Sequence, residues 1–127
     1  HGYGLSWWER QKGSWIEHGI DPYNAQYHCL RWADIDGDGE MELVTGKRHR
    51  AHCGNDVGEA DPLGIYYFKY RDGQFFKQVI DYGCDAPLWG KGCGIQFDLA
   101  ALDGDGRLSL IAPGKDGLVL YRNRGTR

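Results

Sequence analysis

Two copies of one short acidic motif decide the fold. The first is WADIDGDGEMEL at 32–43, and the second is LAALDGDGRLSL at 99–110. The second copy begins 67 positions after the first, and both carry D-G-D-G at the same place. Self-similarity at a fixed spacing is the sequence signature of a repeat architecture. We therefore expect the 127-residue chain to repeat one structural unit.

Short β-rich runs bounded by Gly, Asp and Asn surround both copies, and helical periodicity is nearly absent. The run GLSWWERQKGSWIEHGI also has the same pattern as the later run GIYYFKYRDGQFFKQVI, so the repeating unit has four strands, a to d. A four-stranded antiparallel repeat is typical of a propeller blade. We predict strands at 3–9, 14–20, 28–33, 41–45, 64–70, 74–80, 94–100, 108–112 and 117–122.

The predicted fold class is all-β, with antiparallel four-stranded propeller blades and about two blades' worth of strands. Strands c and d of one blade fall in 1–20, a complete blade in 27–81, and strands a to c of a third in 93–127. A closed propeller typically needs at least four blades. We therefore expect a partial propeller, either a piece of a longer protein or one completed by assembly. Because the sequence begins with His1 and not Met, we expect a processed or excised chain.

The pattern Asp34-x-Asp36-x-Asp38-Gly39 between the first two strands of the unit resembles the FG-GAP/VCBS repeat family of β-propellers. The long loop from Gly46-Lys47-Arg48 to Pro62-Leu63-Gly64 is similar to an extended blade loop of some bacterial secreted members. The resemblance implies a calcium-binding, extracellular protein. The family includes adhesion modules, fungal lectins and appendages of polysaccharide-degrading enzymes, so it leaves the function broad.

The first acidic loop predicts a calcium site. Five carboxylates lie within nine residues with no basic residue among them, and such crowding is costly without a cation. Oxygen ligands at every second residue suit Ca²⁺, whereas an EF-hand would need a Glu where this chain has Thr45. The resemblance implies side-chain ligands from four acids and a carbonyl from Glu40. The acids that give their side chains are Asp34, Asp36, Asp38 and Glu42. The alternative is a solvated acidic turn.

The second copy departs from this pattern. Ala101 and Ser109 replace the first and last acids, and Arg107 adds a positive charge. Asp103 and Asp105 remain as metal candidates, with Asp98 nearby. Either they bind calcium, or the turn persists for backbone reasons alone.

Four cysteines, Cys29, Cys53, Cys84 and Cys93, predict two disulfides in an oxidising compartment. A zinc site is the weaker alternative because no C-x-x-C pair occurs. Alternate connections of a meander lie on opposite faces, which places all four cysteines at the face opposite the acidic loop. This proximity favours Cys29–Cys53 and Cys84–Cys93, with cross-pairing as the main competitor.

The same face gathers cations and aromatic groups that could hold an acidic sugar or a sulfate group. The candidate ligand-binding residues are Lys47, Arg48, His49, His52, Trp89, Lys91 and Lys115. The alternative is that Lys47 and Arg48 pair with acids of their own loop, Asp56, Glu59 and Asp61. Most strand aromatics, such as Trp7 and Tyr66, are expected to pack between blades.

Composition excludes several classes of protein. A chain with 41% hydrophobic and 26% charged residues is globular, and no apolar run is long enough to span a membrane. A net charge of −3 argues against nucleic-acid binding. No nucleophile motif appears, so we expect a non-catalytic module that binds glycans or proteins. The alternatives are a structural subunit that self-associates through open blade edges, or part of a polysaccharide lyase or hydrolase.

Overall fold

A computed structural model of the chain describes residues 2–50, 52, 54–83, 92–115 and 117–125. These residues form nine strands and no helix. The strands are β1 (Tyr3–Gln11), β2 (Ser14–Ala25), β3 (Tyr27–Ala33), β4 (Glu42–Lys47), β5 (Leu63–Arg71), β6 (Gln74–Gly83), β7 (Asp98–Ala101), β8 (Leu108–Gly114) and β9 (Gly117–Tyr121). The all-β prediction is confirmed. In the described ranges there is no helix of the length and apolarity that crossing a membrane requires.

The strands form three antiparallel sheets of two, four and three strands, in the orders β1-β2, β3-β4-β5-β6 and β7-β8-β9. Neighbours in each sheet follow one another in sequence, so each sheet is a meander, and none of the sheets closes into a barrel. These counts agree with the predicted division of the chain into two, four and three strands.

Tight hairpins join β1 to β2 and β5 to β6 in the same way. Gln11 pairs with Ser14, and Arg71 pairs with Gln74, which leaves two-residue turns. Both residues of each turn have positive φ, at Lys12-Gly13 and Asp72-Gly73. Such turns match the right-handed twist of the flanking strands. The two hairpins that the sequence pattern made equivalent therefore have the same turn conformation.

The main core lies between the four-stranded and the three-stranded sheets. It contains the buried residues Cys29, Ile35, Val44, Ile65, Cys93, Phe97, Leu110 and Ala112. β4 is the most buried strand, because it is paired on both sides and packed on its faces. The two-stranded sheet is joined to the next through Asp21 on β2, which accepts a hydrogen bond from Lys77 on β6.

The strand aromatics only partly follow the expectation of packing between sheets. Trp7 stacks on His18 and meets Phe75 of the next sheet edge-on, and Tyr66 is buried. In contrast, Trp8 and Trp15 are exposed, and so is Trp32. Trp8 and Trp15 lie on a two-stranded sheet that is largely open to solvent, so alternate side chains point outward.

One strand is shorter than predicted. The strand expected at 94–100 begins only at Asp98. Gly94 has a φ of +58°, and a Cβ built on it would lie 2.2 Å from the Pro113 carbonyl oxygen. This left-handed conformation interrupts an extended strand, so pairing with β8 begins only at Asp98, and Phe97 is buried in the core.

Candidate metal centre

The acidic loop between β3 and β4 is organised by its own carboxylates. Gly37 and Gly39 have φ of +80° and +89°, a conformation that other residues rarely adopt. Asp34 Oδ1 accepts a hydrogen bond from the Gly37 N–H at 2.7 Å, and its Oδ2 accepts one from the Gly39 N–H at 3.0 Å. Asp34 therefore closes the turn around itself.

Asp36 and Asp38 also accept hydrogen bonds from backbone N–H groups of the loop, in each case from the residue two positions later. Asp36 Oδ1 accepts from the Asp38 N–H at 3.3 Å, and Asp38 Oδ1 accepts from the Glu40 N–H at 2.9 Å. In each case one carboxylate oxygen serves the loop backbone and the second oxygen is left for another partner.

Three of the predicted ligands come together in space. One oxygen from each of Asp34, Asp36 and Glu42 lies within 4.8 Å of the others, and this is the only such group of three or more metal-ligating side chains among the described residues. Oxygen atoms that bind one Ca²⁺ at about 2.3–2.6 Å can be about 5 Å apart. The donor set and spacing therefore fit a calcium ion. Asp38 and Glu40 lie in the loop but outside this group.

Glu42 is the buried member of the group, with 1% of its surface exposed. Its Oε2 accepts a hydrogen bond from the Ile35 N–H at 3.0 Å. Burial raises the pKa of Glu42 above its usual value, the Ile35 hydrogen bond opposes this rise, and the nearby charges of Asp36 and Asp38 add to it. Glu42 thus carries a desolvated negative charge that a cation would stabilise.

A lysine that the sequence reasoning missed lies against the loop. Lys69 on β5 places Nζ 2.5 Å from Asp36 Oδ2 and 2.5 Å from Asp38 Oδ2. These hydrogen bonds raise the pKa of Lys69 above its ordinary value. Strand pairing could have revealed this contact, since Leu43 pairs with Phe68 and brings the next residue of β5 beside the loop.

The second copy of the motif is neutralised by arginines. Arg122 Nη2 lies 3.2 Å from Asp103 Oδ1, and Arg107 Nη1 lies 3.2 Å from Asp105 Oδ2. Asp98 accepts a hydrogen bond from the N–H of the adjacent Leu99. No group of three metal-ligating side chains forms at this loop in the described residues. The two candidate acids, Asp103 and Asp105, are therefore paired with basic residues.

Lys47, one of the predicted ligand-binding residues, is fully buried. Its Nζ donates to the Arg48 carbonyl oxygen at 3.4 Å. Burial lowers the pKa of Lys47, while the charges of Asp61 and Glu59 act in the opposite direction. The Lys47 side chain therefore does not reach the surface, and pairing of Lys47 and Arg48 with acids of their own loop stays a prediction.

Other members of the basic set surround one cavity of about 520 Å³. Arg48, His49 and Lys115 line it, together with residues 94–96 and 113–114. Lys115 Nζ donates to the Arg50 carbonyl oxygen at 3.0 Å, which links the two loops. His52 lies outside the cavity lining, with Nδ1 at 2.7 Å from Asp56 Oδ2. Trp89 and Lys91 lie outside the described residues.

Cys29 and Cys93 are present as buried thiols. Cys53 and Cys84, the partners predicted for them, lie outside the described residues, so the pairing stays a prediction. The described surface thus offers two sites with functional chemistry: the Asp34–Asp36–Glu42 group and the basic cavity at Arg48 and Lys115. No protein-family model, no curated protein and no solved structure matches the chain.

Proposed function

We propose that this chain is a calcium-stabilised extracellular β-propeller module that binds an acidic glycan or a protein and catalyses no reaction. The observation that carries the proposal is the convergence of Asp34, Asp36 and Glu42 within 4.8 Å of one another. Two cations contact this loop's acids: Lys69 lies beside Asp36 and Asp38, and Arg71 Nη2 lies 4.0 Å from Asp38 Oδ2. Two positive charges do not balance the five acidic residues of the loop, and we assign the remaining neutralisation to Ca²⁺.

The propeller assignment is supported by the order and composition of the sheets. Each sheet is an antiparallel meander, and the sheets follow one another along the chain. The second and third sheets both contribute residues to one buried apolar cluster. Both carry the D-G-D-G turn between their first two strands, at 36–39 and 103–106. Consecutive antiparallel meanders that share a core are what successive propeller blades would give.

The cavity at Arg48 and Lys115 is the proposed ligand surface. Its guanidinium and ammonium groups suit a carboxylate or a sulfate, because charge-assisted hydrogen bonds to such anions are strong. A volume of about 520 Å³ is that of a small-molecule site. An acidic sugar fits this combination of charge and size, and a glutamate- or aspartate-rich protein segment is the alternative ligand.

Thermal unfolding of the chain in excess CaCl₂ and in EDTA tests the calcium proposal. At a calcium concentration of about 100 times the dissociation constant, binding adds about 2.7 kcal/mol, or roughly 10 °C in Tm. The variant D34N/D36N should lose this difference. The matched variant D103N/D105N should keep it. Identical unfolding of the wild-type chain in both solutions would rule the proposal out.

An array of uronic-acid and sulfated oligosaccharides tests the ligand proposal. Replacing Lys115 by Ala should weaken binding to any hit roughly tenfold, the effect of losing one charge-assisted hydrogen bond. Replacing Lys12, in the β1–β2 turn, is the control with the same chemical change and should have no effect. Equal affinities of the two variants would place the glycan elsewhere on the surface.

A structural role is the second candidate, and one observation favours it. β9 pairs only with β8 among the described residues. Leu118 and Leu120 on this strand are 72% and 45% exposed. An open edge with exposed apolar side chains is a template for pairing with another strand. Sizing in calcium tests this role, and a monomer at all concentrations would contradict it.

A further inference from the structure

Cys29 and Cys93 are distant in sequence but belong to one buried cluster. Cys29 lies on β3 with 5% of its surface exposed, and Cys93 precedes β7 with none exposed. Both are members of the core between the second and third sheets. Both cysteines lie near the end of β4.

Gly46 on β4 makes room for Cys93. The Cys93 N–H donates to the Lys47 carbonyl oxygen at 3.1 Å, so its backbone follows the end of the strand. A Cβ built on Gly46 would lie 2.9 Å from Cys93 Cβ and 3.2 Å from its Sγ. The Cys93 side chain therefore occupies the space that the missing Gly46 side chain leaves.

Cys29 approaches the same part of β4 from the neighbouring strand. Tyr27 pairs with Lys47 and Leu30 pairs with Thr45, with a register shift between these two pairs, so Cys29 lies beside the end of β4 that contains Gly46. Cys29 and Cys93 are thus both near the end of β4 and belong to the same buried cluster.

The electrostatic environment of the Cys93 thiol also indicates that Cys29 is nearby. Burial raises the pKa of its thiol to about 12. A hydrogen bond from the Cys29 backbone lowers this value, and the neighbouring Cys29 thiol raises it. The backbone hydrogen bond places the Cys93 thiol beside the backbone of Cys29.

We propose that Cys29 and Cys93 form a disulfide bond with each other, in place of the pairs Cys29–Cys53 and Cys84–Cys93. The Sγ–Sγ bond forms by thiol–disulfide exchange, and the two thiols give up two protons and two electrons. The oxidant is a small-molecule disulfide such as oxidised glutathione, or the disulfide of an oxidoreductase, which is reduced to two thiols. By count, Cys53 and Cys84 are left as the second pair.

Burial slows the exchange at Cys93, because thiolates carry out the exchange and a buried thiol whose pKa is raised provides few of them.

Peptide mapping without reduction tests the pairing directly. The chain is refolded in reduced and oxidised glutathione, blocked with N-ethylmaleimide and cleaved with trypsin, which places each cysteine in its own peptide: 13–31, 51–69, 78–91 and 92–107. The expected product joins 13–31 to 92–107. A product that joins 13–31 to 51–69 or to 78–91, or four alkylated peptides, would overturn the proposal.

Two double variants give an independent thiol count in denaturant. C53S/C84S retains only the proposed pair and should show no titratable thiol. C29S/C53S is the matched control that retains Cys84 and Cys93, and it should show two. The reverse result, two thiols in the first and none in the second, would establish the loop pairing instead. Because the count is made on denatured protein after oxidative refolding in EDTA, it does not depend on calcium binding.

Discussion

The loops at 34–42 and 101–109 have the same backbone conformation but differ in charge. Gly37 and Gly39 have positive φ in the first loop, as do Gly104 and Gly106 in the second. The Glu40 N–H donates to Asp38 Oδ1 at 2.9 Å, and the Arg107 N–H donates to Asp105 Oδ1 at 3.0 Å. The turn therefore forms whether or not the first and last acids of the motif are present.

The two loops balance their remaining carboxylates differently. In the first loop, Glu42 is buried against Ile35 and close to two other acids. In the second, the equivalent Ser109 is also buried, but its hydroxyl accepts from the Asn123 N–H at 3.2 Å without adding charge. Arg107 and Arg122 pair with the two acids that are left. The second loop is neutralised by Arg107 within it and by Arg122 after β9, whereas the first has an excess of negative charge.

The largest expected effect comes from removing the buried carboxylate. Replacing Glu42 by Gln keeps its shape and removes a charged ligand, and we expect calcium affinity to fall about 100-fold, or about 2.7 kcal/mol. Isothermal titration calorimetry measures this change. Replacing Ser109 by Ala at the equivalent position should leave the affinity unchanged. A Glu42 variant that binds calcium as the wild type does would show that the acidic group is not the binding site.

The comparison can also be reversed by giving the second loop the acids of the first. In the variant A101D/R107E/S109E, the second loop has the five acidic positions of the first, and we expect the calcium stoichiometry to rise from one to two. The second site should be the weaker one, because Arg122 remains beside Asp103. A stoichiometry of one in a folded variant would mean that the loop acids alone do not make the site.

Much of this arrangement could be predicted from local sequence. Turn residues and β-branched or aromatic runs marked all nine strands, and the acidic spacing marked the Asp34–Glu42 loop. The features that the sequence did not predict depend on contacts between residues that are distant in sequence. β2 is longer than predicted and continues through Pro22 to Ala25. In this added part of the strand, Asp21 accepts hydrogen bonds from Tyr27 and Lys77. Lys47 is likewise buried, and its carbonyl oxygen accepts from the N–H of the distant Cys93, a contact that no local pattern encodes.

The role of Lys69 also depends on contacts with residues that are distant in sequence. The third prediction concerns this lysine. Lys69 binds Asp36 and Asp38 and competes with a cation for their charge. Replacing it by Met should raise calcium affinity about two- to fivefold, the range of a partly exposed ion pair. Titration calorimetry in low salt measures the change. Replacing Arg122, which directly follows β9, by Met is the control at the second loop and should leave the affinity unchanged. A loss of affinity in the Lys69 variant would mean that this lysine supports the site.

The smallest effect is expected where the second loop is already neutral. Arg107 forms an ion pair with Asp105, and both side chains are well exposed, at 47% and 38%. Exposed pairs contribute about 0–1 kcal/mol because water and salt screen them. Replacing Arg107 by Ala should therefore lower Tm by at most about 4 °C, as followed by circular dichroism. Because the Asx turn at Asp105 uses the backbone N–H of residue 107, the turn survives this substitution. A much larger loss would mean that the arginine, and not the backbone, holds the second loop, and the two loops would then differ in architecture as well as in charge.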